Sequence, residues 1–162
     1  MVLAGNGWEV PDRVRSGVEF HWFHVPATGS LALGVLSAEP VWYVGHFEKG
    51  RMRECDGPEC ELCARGVGTQ LRYVLCVADL TTRQVGVLEV GSGVAALIKQ
   101  WAQGFGYLRG MCIEVCKSSR SKHSRMEVEL IHERPPGWLM STEPLNVRVV
   151  LERTWDRIRG GA

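Results

Sequence analysis

A chain of 162 residues that is 45% hydrophobic and carries six tryptophans has enough apolar mass for one packed core, which excludes a disordered or fibrous protein. The net charge of +1 does not by itself announce a polyanionic partner, so the grouping of charges matters more than their sum. No apolar run approaches the ~20 residues that cross a bilayer, and Met1-Val2-Leu3-Ala4-Gly5-Asn6-Gly7 lacks the basic start and apolar centre of a secretory signal. The expectation is therefore a cytoplasmic protein without membrane contact, its cysteines kept reduced.

Alternation of apolar and polar residues predicts a mainly β fold. Val14 to Val25 reads as a strand, and Ser30 to Leu36 as its partner across the turn Pro26-Ala27-Thr28-Gly29. Val41 to Phe47 is a third extended run. Trp42 and Val44 share one of its faces, Tyr43 and Gly45 the other, so about half of the local rings belong to the core.

That run leads into Cys55-Asp56-Gly57-Pro58-Glu59-Cys60-Glu61-Leu62-Cys63. Cys60 and Cys63 form a C-x-x-C knuckle, Gly57 and Pro58 permit the reversal that returns Cys55 beside them, and His46 supplies a fourth donor from the strand end. Thiolate and imidazole donors in a closed set of four are what a structural Zn2+ takes, so His46, Cys55, Cys60 and Cys63 are the candidate ligands of a zinc loop over 46–63. Cys76, His24 and His21 are the alternatives to His46. One disulfide with a spare thiol is the competing account of the cysteines, and a reducing compartment disfavours it.

Leu71 to Ala78 and Val85 to Val90 flank the turn-like Asp79 to Arg83 and predict a hairpin. Ser92 reads as the N-cap of a helix running to Ala102, with Trp101 as its core anchor and Gly104 and Gly106 ending it. Met111 to Cys116 and Met126 to Ile131 are the last strands. Cys76, Cys112 and Cys116 pack there as small buried residues, a Cys112–Cys116 redox pair being the alternative. Pro135-Pro136-Gly137 divides a domain over 1–134 from a helical appendage over 135–162. Its helix runs from about Leu145 to Ile158, capped by Ser141-Thr142-Glu143-Pro144.

Short strands, one helix between the earlier and later strands, and a final hairpin give the order of an OB-fold, a five-stranded Greek-key barrel whose strand face and loops grip oligonucleotides. Here the barrel carries the inserted zinc loop and the C-terminal helix. The last hairpin's loop, residues 117–125, holds Lys117, Arg120, Lys122 and Arg125 and no acidic residue. Such a tip neutralises phosphates without reading sequence; the bland alternative is a solvated tip. Arg51 and Arg53 (with Lys49) lie between His46 and Cys55, and Arg65 and Arg72 lie beyond Cys63, interleaved with aromatics. Rings alternating with arginines suit single strands, since every base has a stackable face. Tyr73 is the ring most readily exposed.

The stretch GHFEKGRMRECDGPECELCARG, followed by LRYVLCVADL and VGVLEV, resembles the zinc-containing single-stranded-DNA-binding proteins of phages and mobile elements, the T4-type helix-destabilising proteins among them. The resemblance covers residues 40 to 90 and implies an OB-fold with one histidine and three cysteines on zinc. It also implies a role in DNA replication or recombination and, for a phage-encoded chain, residence in the host cytoplasm. The ligand spacings here are more compact than in that group. Arg153, Arg157 and Arg159 stand where that group carries an acidic tail.

Two other functions compete. His46-Phe47-Glu48 with Pro58-Glu59-Cys60-Glu61-Leu62-Cys63 echoes the zinc deaminase signature, but Cys55 is available to close the position that a reactive water needs. A zinc-stabilised adaptor within a larger nucleoprotein complex, binding a protein through the C-terminal helix, is the other. The reading favoured by the residues is non-enzymatic, sequence-independent binding of single-stranded DNA, with RNA as the related ligand.

Overall fold

The computed structural model describes residues 21–118 and 125–160, with side chains as far as 156. Seven strands among these residues form one antiparallel sheet: β1 (Ser30–Val35), β2 (Val41–Glu48), β3 (Arg51–Glu54), β4 (Gln70–Asp79), β5 (Val85–Gly91), β6 (Cys112–Lys117) and β7 (Met126–Leu130). The helices are α1 (Glu61–Ala64), α2 (Ser92–Phe105), α3 (Gly137–Ser141) and α4 (Val147–Gly160). The order is β3-β2-β4-β1-β6-β7, with β5 on the other edge of β4. The mainly β expectation holds. The sheet is open, and among the described residues no pairing joins β5 to β7 to close a barrel.

β4 organises the fold. Its first half pairs with β2, from Gln70 opposite Gly45 to Val74 opposite Val41, and its second half pairs with β1, from Val77 opposite Val35 to Asp79 opposite Leu33. One face of the sheet carries Leu33, Val35, Leu75, Val77, Leu88, Val90, Ile113 and Val115 under Ile98 of α2. The opposite face carries Val74, Cys76, Ala78, Val87 and Cys112 under Leu139, Val147, Val150, Leu151 and Trp155 of α3 and α4. Burial on both faces is why β4 reads as a nearly continuous apolar run rather than a clean alternation. Gly34 is the point of closest approach, since a Cβ there would lie 2.5 Å from Leu139 Cδ2.

Several expectations change. Of the strand expected over Val14–Val25, residues 14–20 lie outside the described residues. Trp22 and Phe23 bridge to Val87 of β5 rather than to β1. Both edges of β1 are already taken, by β4 and β6, so it had no edge to offer. β3 is an unexpected strand, made by a two-residue turn at Lys49 and Gly50, whose φ values of 52° and 78° are the positive pair such a hairpin requires. The N-cap of α2 is Gly91 rather than Ser92. Gly104 is helical, and Gly106 ends the helix in the left-handed region with φ 80°. The Ser141–Pro144 segment does not cap α4. The Ser141 and Thr142 hydroxyls instead donate to the Trp138 carbonyl and close α3, while Asn146 Oδ1 accepts from the Val149 N–H at 3.3 Å. Trp101 packs on the α2 side as expected, and Cys76 and Cys112 are buried thiols outside any disulfide, with Cys116 half-buried.

Leu139 is fully buried between α3 and the sheet. Leu139→Ala should lower the unfolding free energy by about 2–5 kcal/mol, the range for a buried leucine cavity, as measured by urea denaturation. A loss below about 0.5 kcal/mol would mean that α3 does not close this face.

Candidate metal centre

The connection from β2 to β4 folds through successive tight turns. The β2–β3 hairpin pairs His46 with Arg53 and Glu48 with Arg51, and the Cys55 N–H continues to the Val44 carbonyl at 2.9 Å. Gly57 (φ 80°) and Pro58 open a 3-10 turn over Gly57–Glu59, and Cys60 then caps α1. Leu62, buried beneath this turn, anchors it. The Gly66 and Val67 N–H groups return to Cys63 and Leu62 carbonyls, which ends α1 and leads the chain back toward His46.

These turns bring together the donors of His46, Cys55, Cys60 and Cys63, all within 4.8 Å of one another. His46 Nε2 lies 3.4 Å from the sulfurs of both Cys60 and Cys63, and the Cys55 and Cys63 sulfurs are 3.5 Å apart. A tetrahedral ion with metal–sulfur bonds of ~2.3 Å and a metal–nitrogen bond of ~2.0 Å separates its ligands by about 3.5–3.8 Å, so the cluster already has nearly the right size. All of these cysteines are free. The disulfide account is set aside, and His21, His24 and Cys76 lie outside the donor cluster.

The imidazole is prepared for a metal. His46 is fully buried, and its Nδ1 lies 3.1 Å from the Val67 carbonyl and 3.0 Å from that of Gly68. Carbonyl oxygens only accept, so Nδ1 carries the proton and Nε2 presents its lone pair to the sulfurs. Fixing the tautomer through the far nitrogen is how metal-bound histidines are held. Backbone N–H groups, first that of Cys63, lower the Cys60 pKa to about 6. Hydrogen bonding to Cys55, then burial, raises that of Cys63 to about 11, and the Cys55 sulfur raises that of His46.

The basic residues scatter more widely. Arg51 is exposed at the hairpin turn and enters no ion pair among the described residues. Arg53 reaches Asp56 at 3.6 Å, and Arg65 donates to Glu48 at 2.7 Å, holding the Glu48 carboxyl below the usual carboxylate range. Such exposed pairs are worth about 0–1 kcal/mol and exchange partners readily. Arg72 is half-buried and donates to Glu89, which also accepts from the Tyr43 hydroxyl. Burial, then that bond, raises the Tyr43 pKa. Arg72 is therefore tied into the sheet.

Tyr73 is not the exposed ring. It is half-buried against the α2-side core, because α2 covers that part of β4, while its cross-strand neighbour Trp42 is 65% exposed. Lys117 and Arg125 are exposed at the mouth of the last hairpin, joined by the Ser118 N–H donating to the Arg125 carbonyl; Arg120 and Lys122 lie outside the described residues. That mouth adjoins Ser30, at the far end of β4 from the metal loop. The two basic regions are separated by on the order of 30 Å of strand. Sequence spacing missed the Val67 and Gly68 carbonyl anchors.

Each thiol must shed its proton and the imidazole must be neutral before binding, so metal affinity rises with pH and is lost in acid. Titrating the loaded protein from about pH 7.5 to about pH 5 against a chromogenic chelator should release one ion per chain. Cys60→Ser should not retain an ion at either pH. An ion that survives in Cys60→Ser would place it elsewhere.

No protein-family model matches this chain, and neither does any curated protein or solved structure.

Proposed function

We propose that this chain binds single-stranded DNA without sequence preference and without catalysis, on an OB-type sheet whose β2–β4 connection is held by a structural zinc. The observation that carries the reading is the closed donor set of three sulfurs and an anchored imidazole at the root of a β-hairpin that presents Arg51 to solvent. A thiolate-rich tetrahedral set favours zinc, and four protein donors leave no position for a reactive water. Zinc's part is to fix the loop.

The sheet supports the OB-type assignment. β1 and β2 pair successive stretches of one edge of β4, as a single strand interrupted over residues 36–40 would. Counted so, with β3 belonging to the insertion, the order is a three-strand meander, α2 and the β6–β7 hairpin. OB-folds are partly open barrels that take oligonucleotides between loops, and the metal loop and the mouth of the β6–β7 hairpin lie toward opposite ends of β4.

The deaminase alternative draws little support, since Glu48 is engaged by Arg65 and Cys55 supplies the fourth donor. The adaptor alternative is favoured by one observation, the exposed apolar side chains Trp42, Phe47, Phe105 and Tyr107. The apolar side of α4, however, packs on its own sheet through Val147, Val150, Leu151 and Trp155.

Zinc-loaded protein should bind labelled oligothymidine in preference to duplex of equal length, with oligouridine testing the RNA choice. Replacing Lys117, Arg120, Lys122 and Arg125 together by serine should weaken binding and flatten its salt dependence, by about 0.7 in log–log slope for each phosphate no longer neutralised. Equal affinity for duplex, or an unchanged slope in the quadruple variant, would count against this reading and for the adaptor.

A further inference from the structure

We infer that nucleobases are received on the α2 side of the β2–β4 pair, on a platform of Trp42, Val44, Leu71 and Tyr73 that runs from the metal loop into a cleft beside α2. The inference rests on the proposed single-strand binding and assigns its base-contacting surface.

The register places these side chains together. Trp42 lies opposite Tyr73 and Val44 opposite Leu71, and directly opposed residues of an antiparallel pair project from the same face. Tyr73 packs against the α2-side core, so that face is the α2 side. α2 covers the sheet only as far as Tyr73. Beyond it Trp42 is 65%, Val44 39% and Leu71 38% exposed, an apolar surface a monomeric protein has reason to hide unless it is used. Tyr73 also lines a cleft of about 760 Å³ with Ala95, Lys99 and Tyr107, so the platform continues into a concave, mostly apolar space bearing one cation and one acidic residue, Glu39.

Charge points to the occupant. Along β2 the Trp42 side continues through His46 and Glu48, whose partners on β3 are Arg53 and Arg51. Glu48 and Asp56 are met by Arg65 and Arg53; Lys49 and Arg51 are exposed cations at the hairpin tip, with Glu59 and Glu61 exposed on the neighbouring turn, and Lys99 is exposed at the other end of the surface. His46 is fully buried in the metal cluster, so the open platform along β2 runs from Trp42 to Val44, about 7 Å of strand, room for one or two stacked bases. Stackable rings flanked by cations suit a single strand, whose bases and phosphates run side by side. The other side of β4 and β5 is closed by α3 and α4, so bases cannot reach the sheet there without displacing them.

An abasic deoxyribose-phosphate oligomer has the charge of oligothymidine without its bases, so comparing the two separates stacking from phosphate binding. Wild-type zinc-loaded protein should prefer oligothymidine. Trp42→Leu, which keeps apolar bulk and discards the ring, should reduce that preference roughly 5- to 150-fold, the span of base-on-ring stacking, with the salt slope unchanged. Trp42→Phe should keep most of the preference, and Arg51→Glu should lower the slope while leaving the preference. Metal content and melting temperature equal to wild type in the Trp42 variants show that the fold is intact. Oligothymidine binding that is undiminished in Trp42→Leu, or equal wild-type affinity for the abasic oligomer, would overturn the platform and leave single-strand binding standing. Absence of wild-type binding to either oligomer would overturn both.

Discussion

The double burial of β4 is the constraint on which the rest of the structure depends. Its residues Val74 to Ala78 are withdrawn from water on both faces, so each face needs its own cover, and α2 and the α3–α4 segment supply them. Fully burying a valine or leucine side chain contributes roughly 1.5–3 kcal/mol, and several such residues meet here. Cys76 ties the strand further: its carbonyl accepts from the Leu36 and Ser37 N–H groups, and its own N–H donates to Ser37 Oγ at 2.7 Å. β2 runs past the end of β4 at Gln70 and carries His46 beyond it, where β3 alone pairs with β2.

At that overhang the chemistry changes from apolar packing to polar convergence. A buried imidazole needs partners for both nitrogens, and the Val67 and Gly68 carbonyls supply one side while the sulfurs supply the other. The ion pairs that also link this region, Arg65 to Glu48 and Arg53 to Asp56, are surface pairs worth about 0–1 kcal/mol each. Apparent metal binding energies at structural zinc sites reach about 10–16 kcal/mol and couple directly to folding. On these magnitudes an ion in this cluster, not the salt bridges, would hold the loop and hence the position of the hairpin bearing Arg51.

Most of this was legible in the sequence where a local pattern carries it. Alternation located β1, β2 and β5 to β7, an apolar run located β4, and the C-x-x-C spacing with a third cysteine located the donor set. Non-local features were not legible. β3 is only Arg51-Met52-Arg53-Glu54, with no strand signature beyond the Lys49-Gly50 turn. Tyr73 is half-buried, against expectation, while Trp42 opposite it is exposed, because cover depends on where α2 lands, which no residue near either one encodes. The start of α4 moved to Val147 because the Trp138 carbonyl captured the Ser141 and Thr142 hydroxyls, a contest between two helices rather than a property of one. The carbonyl anchors of His46 belong to the backbone and leave no mark in side-chain spacing.

The central claim is that the cluster is a closed, structural metal centre on which the arrangement of the binding surface rests. X-ray absorption at the zinc edge of protein purified under reducing conditions tests it directly. Three sulfur neighbours at about 2.3 Å and one nitrogen at about 2.0–2.1 Å are expected, unchanged when oligothymidine is added. A shell with fewer sulfurs and an oxygen neighbour would contradict it, because an open position holding water is the mark of a site built for catalysis.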